Sequence, residues 1–196
     1  MDATAASSST TFGQLLGESD ITCARLAAHL DALDTAERVR QCRDLSGKQM
    51  GRLYEIARDA EALTLEDIVG PNVADGATVR WAGKNSLPVH TKFEKHFARI
   101  DGKIVGMNVQ ALSFASGPGY YTCRAEGKKE VLFDYTDVPA NAPPGWPAPR
   151  SNARGISNFV FKDLHDFNRR VSRDVMIGAA TRLGKPMGDY YILARM

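Results

Sequence analysis

Asp134, Tyr135, Arg124 and His165 are the residues of this sequence whose types and spacing suit acid–base chemistry. Arg124 lies in the alternating run 120–126 (YYTCRAE), and Asp134 and Tyr135 lie in the run 130–136 (EVLFDYT). If both runs turn these side chains inward, Arg124 and Asp134 form an ion pair or an acid–base set. Low dielectric would raise the Asp134 pKa and make it a general acid or base, whereas Arg124 would hold it ionised. The two effects oppose each other, and both outcomes stay open. Asp163 and His165 are two residues apart, so on a strand they share a face and the carboxylate can set the imidazole tautomer. A second group, Asn108, Gln110, Tyr120, Arg169 and Trp81, has the character of ligand-orienting residues. Polar side chains within apolar strands either face water or point inward, where they must be paired and can hold a ligand. Arg169 and Arg170 point to opposite faces. One of them entering the interior could grip a carboxylate, carbonyl or phosphate in bidentate fashion, with the other pairing to Asp174 or Asp166. Lys84 could form a Schiff base only if desolvated.

Other chemistries find no motif. The four histidines, His29, His90, His96 and His165, contain no HxH or HExxH arrangement, so no metal site is expected. Haem would need His90 or His165 as an axial ligand in an apolar pocket. There is no GxGxxG, P-loop or GxSxG, and Gly117-Pro118-Gly119 reads as a turn with no helix after it. No cofactor is expected. Cys23, Cys42 and Cys123 form no CxxC and no even framework, which fits a reducing cytoplasm. The net charge of +2 is spread along the chain, which argues against nucleic acid. No apolar run approaches the roughly 20 residues of a membrane span.

The elements that position these residues are mostly strands. Residues 1–18 read as a disordered leader without signal-peptide character. Residues 19–70 read as an amphipathic helical cap, with helix starts at Asp20, at Asp34 or Thr35, and at Ser46. Residues 71–196 then change period. Strands are expected at 78–86, 104–115, 120–126, 130–136, 156–162, 164–172, 175–181 and 189–195. Residues 91–100 (TKFEKHFARI) read as a short helix with Phe93 and Phe97 one turn apart. The proline-rich stretch 138–153 reads as a long surface loop with Trp146 pinned in an apolar notch. The fold class is therefore mainly β with an N-terminal α-helical segment (α+β), an antiparallel barrel of about eight strands.

Residues 166–178 (DFNRRVSRDVMIG) and 190–195 (YYILAR) resemble the C-terminal signature of uncharacterised bacterial lipocalin-like (calycin) barrels. Asp166, Arg169, Arg170, Val171, Asp174 and Gly178 fall on the matching positions. Trp81 and Gly83 match the W-x-G of the GXWXG segment such proteins often carry, with Val79 where that segment has Gly. The resemblance implies a calycin-type barrel and a small hydrophobic ligand. In a closed barrel the first and last strands are neighbours, so Arg195 is expected to stack on the Trp81 indole at the barrel floor.

Two functions follow. One is a cytoplasmic barrel that binds a small hydrophobic or aromatic molecule. The other is a cofactor-independent isomerase, cyclase or lyase using Asp134, Tyr135, His165 and Arg124. A scaffold whose helices dock a partner is a third, and a homodimer is left open.

Overall fold

The computed structural model describes residues 10–89, 91–109, 118–152 and 161–196. Eight antiparallel strands pair in chain order and close into a barrel. They are β1 (Val79–Asn85), β2 (Lys92–Ile100), β3 (Lys103–Val109), β4 (Tyr120–Glu126), β5 (Glu130–Asp134), β6 (Leu164–Ser172), β7 (Val175–Arg182) and β8 (Lys185–Arg195). The seam is β1 against β8, with Trp81 opposite Arg195.

β2 corrects the sequence reading, which made residues 91–100 a helix. Phe93 and Phe97 are four apart, and four residues bring a side chain back to the same face in a helix and in a strand alike. Lys95 between them decides the matter. On a helix it would point away from the two phenylalanines, whereas on β2 it shares their inward face. The expected strand at 156–162 lies largely outside the described residues, and Phe161 and Lys162 precede β6 without joining the sheet. The Asp101-Gly102 turn between β2 and β3 has φ of 53° and 72°, the positive values that a two-residue hairpin turn requires.

Before the barrel come α1 (Phe12–Leu15), α2 (Cys23–Ala32), α3 (Thr35–Asp44), α4 (Gly47–Ile56) and α5 (Leu65–Val69). α1 falls within the stretch read as a leader. It is too short to show a period, yet Phe12 and Leu16 are fully buried. Asp34 and Ser46 cap α3 and α4 as their side-chain chemistry suggests, and Thr22, rather than Asp20, caps α2. The apolar faces of α1 to α4, including Leu26, Leu30, Met50 and Leu53, pack on Val171, Val175, Ile177, Ile192 and Ala194. Those five residues form the outward face of β6, β7 and β8. This wall is covered on both sides, which explains why residues 190–194 (YYILA) run apolar without alternation. No helix among the described residues is long and apolar enough to cross a membrane.

α5 does something different. Ile68 and Val69 are fully buried in the barrel's inner core with Trp81 and Leu193, so α5 plugs one end. The Trp81 indole N–H donates to the Ile68 carbonyl at 3.0 Å. The Arg195 guanidinium lies 4.9 Å from the Trp81 ring, the contact expected at the seam. Arg99 reaches Glu66 at 2.9 Å, and Arg170 pairs with Asp67. Three arginines thus clamp the plug. The opposite end is formed by the last residues of β1, β3, β5 and β7 and the first residues of β2, β4, β6 and β8.

Candidate functional site

The inward faces of the strands meet at a polar layer in the half of the barrel away from α5. Pairing registers define it: Lys95 of β2 stands opposite Asn108 of β3, and Phe133 of β5 stands opposite Asp166 of β6. Lys95 is buried, with 2% of its side chain exposed, and Asp166 has 5%. The Lys95 ammonium donates to Asn108 Oδ1 at 2.9 Å, to the Tyr135 hydroxyl at 2.5 Å and to Asp166 Oδ2 at 3.3 Å. All three of its protons are used. Tyr135 in turn donates to Asp166 at 3.3 Å and accepts from Asn108 Nδ2 at 3.0 Å.

Aromatic rings enclose this ammonium. Tyr121, Tyr191, Tyr135, Phe133 and Phe93 have ring centroids 4.7, 4.9, 5.1, 5.4 and 5.8 Å from Lys95 Nζ. Ring faces carry negative charge density and favour a cation at such distances, whereas Tyr135 meets the ammonium through its hydroxyl. Glycines make room for the rings: Gly106 stands opposite Tyr121 and Gly178 opposite Tyr191. A Cβ on either glycine would fall 2.3 Å from a ring atom, so each tyrosine lies flat on bare backbone. Phe161 stacks on Tyr135 at 5.4 Å.

Burial governs the titration of this layer. It pushes the Lys95 pKa down, and the charge and hydrogen bond of Asp166 oppose that shift without cancelling it. Burial pushes Tyr121, Tyr135 and Tyr191 well above the ordinary phenol value, and Asp166 adds to the rise at all three. Burial likewise raises the Cys123 thiol. The Tyr191 hydroxyl donates to Asn168 Oδ1 at 2.6 Å. The buried Tyr121 hydroxyl has no hydrogen-bond partner among the described residues. An unpaired buried hydroxyl costs about 1–3 kcal/mol, so Tyr121 is a donor without an acceptor beside a caged cation.

The residues singled out from sequence divide between the two faces. Tyr135 and Asn108 belong to the inner layer. Trp81 is also inside, but its indole N–H and one ring face are taken up by Ile68 and Arg195 at the floor. Asp134, Arg124 and His165 do come together, on the outer face. His165 Nε2 lies 3.2 Å from Asp134, and Arg124 Nε lies 3.8 Å from it. His165 is thus oriented by its cross-strand partner Asp134, while Asp163 sits in a turn with φ of 54°. Partial burial pushes the Asp134 pKa up, but bonds from the Thr136 hydroxyl and amide and the nearness of His165 outweigh it and bring it below the ordinary value.

Tyr120 is on the outer face too. It lies under the proline-rich loop, donating to the Pro147 carbonyl and packing against Trp146. The Trp146 notch consists of Tyr120 and His96, with the indole N–H on Thr78 Oγ1 at 2.9 Å. Arg169 is outside, bound to Glu130 at 2.6 Å and stacked 3.8 Å over the Tyr54 ring in a surface cleft of about 390 Å³. Arg170 is the inward one of the pair, but it serves the α5 plug. Its partner is Asp67, rather than Asp174 or Asp166. Asp174 is held by Arg38 and Arg195, each at 3.4 Å, and Asp166 by Lys95. Lys84 is on the outer face of β1. Gln110 and His90 lie outside the described residues.

Sequence reasoning missed Lys95, Asp166 as its partner, and Tyr121. Lys95 was lost with the helix assigned to 91–100. The signal that could have found it is strict alternation in Phe93-Glu94-Lys95-His96-Phe97, where a lysine interrupts the apolar face. Tyr121 and Cys123 form the alternate face of the run that was grouped through Tyr120 and Arg124.

No family model matches the chain, and no curated protein or solved structure matches it significantly.

Proposed function

We propose that this protein is a binding barrel for a small aromatic or apolar molecule that carries a hydrogen-bond acceptor. The observation that supports this most is Lys95: an ammonium held inside an aromatic enclosure. A buried ion pair is a poor way to stabilise a fold, since well-packed apolar residues of similar volume do as well or better by about 1–4 kcal/mol. Its presence in a ring-lined interior suits recognition. In this reading the acceptor of the ligand, a carbonyl, carboxylate or phenol oxygen, is met by Lys95, Asn108 and the Tyr121 hydroxyl. The rings hold the apolar part. The ligand enters from the end opposite α5, because α5 and its three arginines close the other. The closed eight-stranded barrel and the Trp81-x-Gly83 element support a lipocalin-like reading.

A second reading is the cofactor-independent isomerase, cyclase or lyase. It is favoured by one feature: a phenol, a carboxylate and an amine share hydrogen bonds at Tyr135, Asp166 and Lys95. Of the residues first grouped for catalysis, this version uses Tyr135. Asp134, Arg124 and His165 lie on the outside of the same wall.

Calorimetric titration with benzoate, benzyl alcohol and toluene tests the binding reading. Benzoate and benzyl alcohol should bind, toluene should bind less tightly, and Asn108→Ala should weaken benzoate about tenfold, the loss of about 1.4 kcal/mol. Equal affinity of all three for wild type and variant would overturn it.

A further inference from the structure

The geometry points to Lys95 as a site of reversible covalent capture, in which its amine condenses with an aromatic aldehyde held against the surrounding rings. This rests on the binding reading above and names the ligand class for the same site. Of the nine lysines, Lys95 alone is buried. Seven are exposed and Lys84 is half-buried on the outer face. An amine is a nucleophile only when it has lost its proton, and desolvation favours that form. Asp166, at 3.3 Å, and Tyr135, at 2.5 Å, are within proton-transfer distance of Nζ.

The step balances without any other reactant. The Lys95 ammonium passes a proton to Asp166, and the freed amine lone pair forms a C–N bond to the aldehyde carbon. The carbonyl π pair moves to oxygen, which takes a proton through Tyr135, Tyr135 being replenished from Asp166. The second N–H proton follows to the same oxygen. The C–O bond then breaks and water leaves. What remains is a protonated imine beside the Asp166 carboxylate, so the ion pair is kept: ammonium and aldehyde become iminium and water. The enclosing rings, 4.7 to 5.8 Å from Nζ, suit the delocalised cation of an aryl iminium at least as well as they suit the ammonium. The Tyr121 hydroxyl, which has no hydrogen-bond partner among the described residues, is a donor for the carbonyl oxygen during attack. Cys123 shares this interior, but its thiol is held protonated by burial and is a poor competitor.

The test uses the full chain with benzaldehyde and cyanoborohydride near neutral pH, followed by intact-mass analysis and peptide mapping. One benzyl group per chain should appear, on Lys95, at least tenfold faster than on any exposed lysine. Lys95→Arg keeps the charge and the hydrogen-bonding role but cannot form the imine. It should lose that adduct, and Lys95→Met, checked for folding by circular dichroism, should also lose it. Benzyl alcohol and benzoate separate the two claims. If they bind and benzaldehyde labels Lys95 no faster than surface lysines, covalent capture is refuted and the binding reading stands. If neither the aldehyde nor these analogues bind, both fall.

Discussion

Asp134 and Tyr135 are neighbours in the chain, and so are His165 and Asp166, yet each pair is split between the two faces of one barrel wall. The outer members, with Arg124, make a set of a carboxylate, an imidazole and a guanidinium. The inner members, with Lys95, make a set of a carboxylate, a phenol and an amine. The outer set is wet: Arg124 is 57% exposed and His165 29%. The inner set is dry, within five rings. The same kinds of charge therefore obey different rules. In water, exposed pairs contribute about 0–1 kcal/mol. In the barrel, each charged group depends on its partner, and the neutral form of the amine comes within reach.

The most severe test of this contrast is Lys95→Met, which leaves Asp166 buried with only a phenol as donor. Urea unfolding should show a loss of about 3–5 kcal/mol. The double variant Lys95→Met/Asp166→Leu should regain most of it, because no charge is left unpaired. A single-variant loss below about 1 kcal/mol would place the inner set on the same footing as the outer.

Next in size is the packing that keeps the inner set dry. Gly106→Ala and Gly178→Ala each push a Cβ into a tyrosine ring. Each should destabilise by about 1–3 kcal/mol, with a change in near-ultraviolet circular dichroism from the displaced ring. An unchanged spectrum and stability would show that the enclosure is loose.

The pH dependence of stability separates the sets by sign. Lys95 has a folded-state pKa below its unfolded value, so between the two the unfolded chain binds the extra proton. Stability must therefore rise with pH toward the ordinary lysine value of about 10.4, with a slope of at most about 1.4 kcal/mol per pH unit. The gap between wild type and Lys95→Met should widen in wild type's favour over that range. Tyr121, Tyr135 and Tyr191 act oppositely at higher pH: they stay protonated in the fold, and their contribution is lost above the ordinary phenol value of about 10. Asp134 has a lowered pKa, so its contribution is present above the ordinary carboxylate value and is lost as pH falls through the folded one. A wild-type minus Lys95→Met difference that is flat with pH would contradict the assignment.

The smallest effect belongs outside. Arg124→Ala should shift stability by less than about 1 kcal/mol, with a salt-sensitive remainder, and leave benzoate affinity unchanged. A tenfold loss of affinity would move the site to the outer face.

Much of the architecture was legible along the chain. The strands 120–126 and 164–172 have the bounds expected of them, and helix caps at Asp34 and Ser46 follow from side-chain chemistry. The Trp81–Arg195 contact follows from closure alone. The site was less legible because its key residue depended on one ambiguous spacing. Phe93 and Phe97 fit a helix and a strand equally, and the choice between them decides whether Lys95 meets water or five aromatic rings.

Read alone, the chain yields a barrel closed by its last strand, a helical segment before it, and the shared faces of runs such as 120–126 and 164–172. Alternation is a local property of the backbone, so it can be read locally. Only the tertiary structure decided which face is inside, because that depends on where α1 to α4 cover the wall and where α5 enters it. It also brought together Lys95, Asn108 and Asp166, on β2, β3 and β6, with Tyr135 just past the end of β5, a set that spans residues 95 to 166. Separations of that length leave no periodic trace, and only the closure of the sheet makes them neighbours.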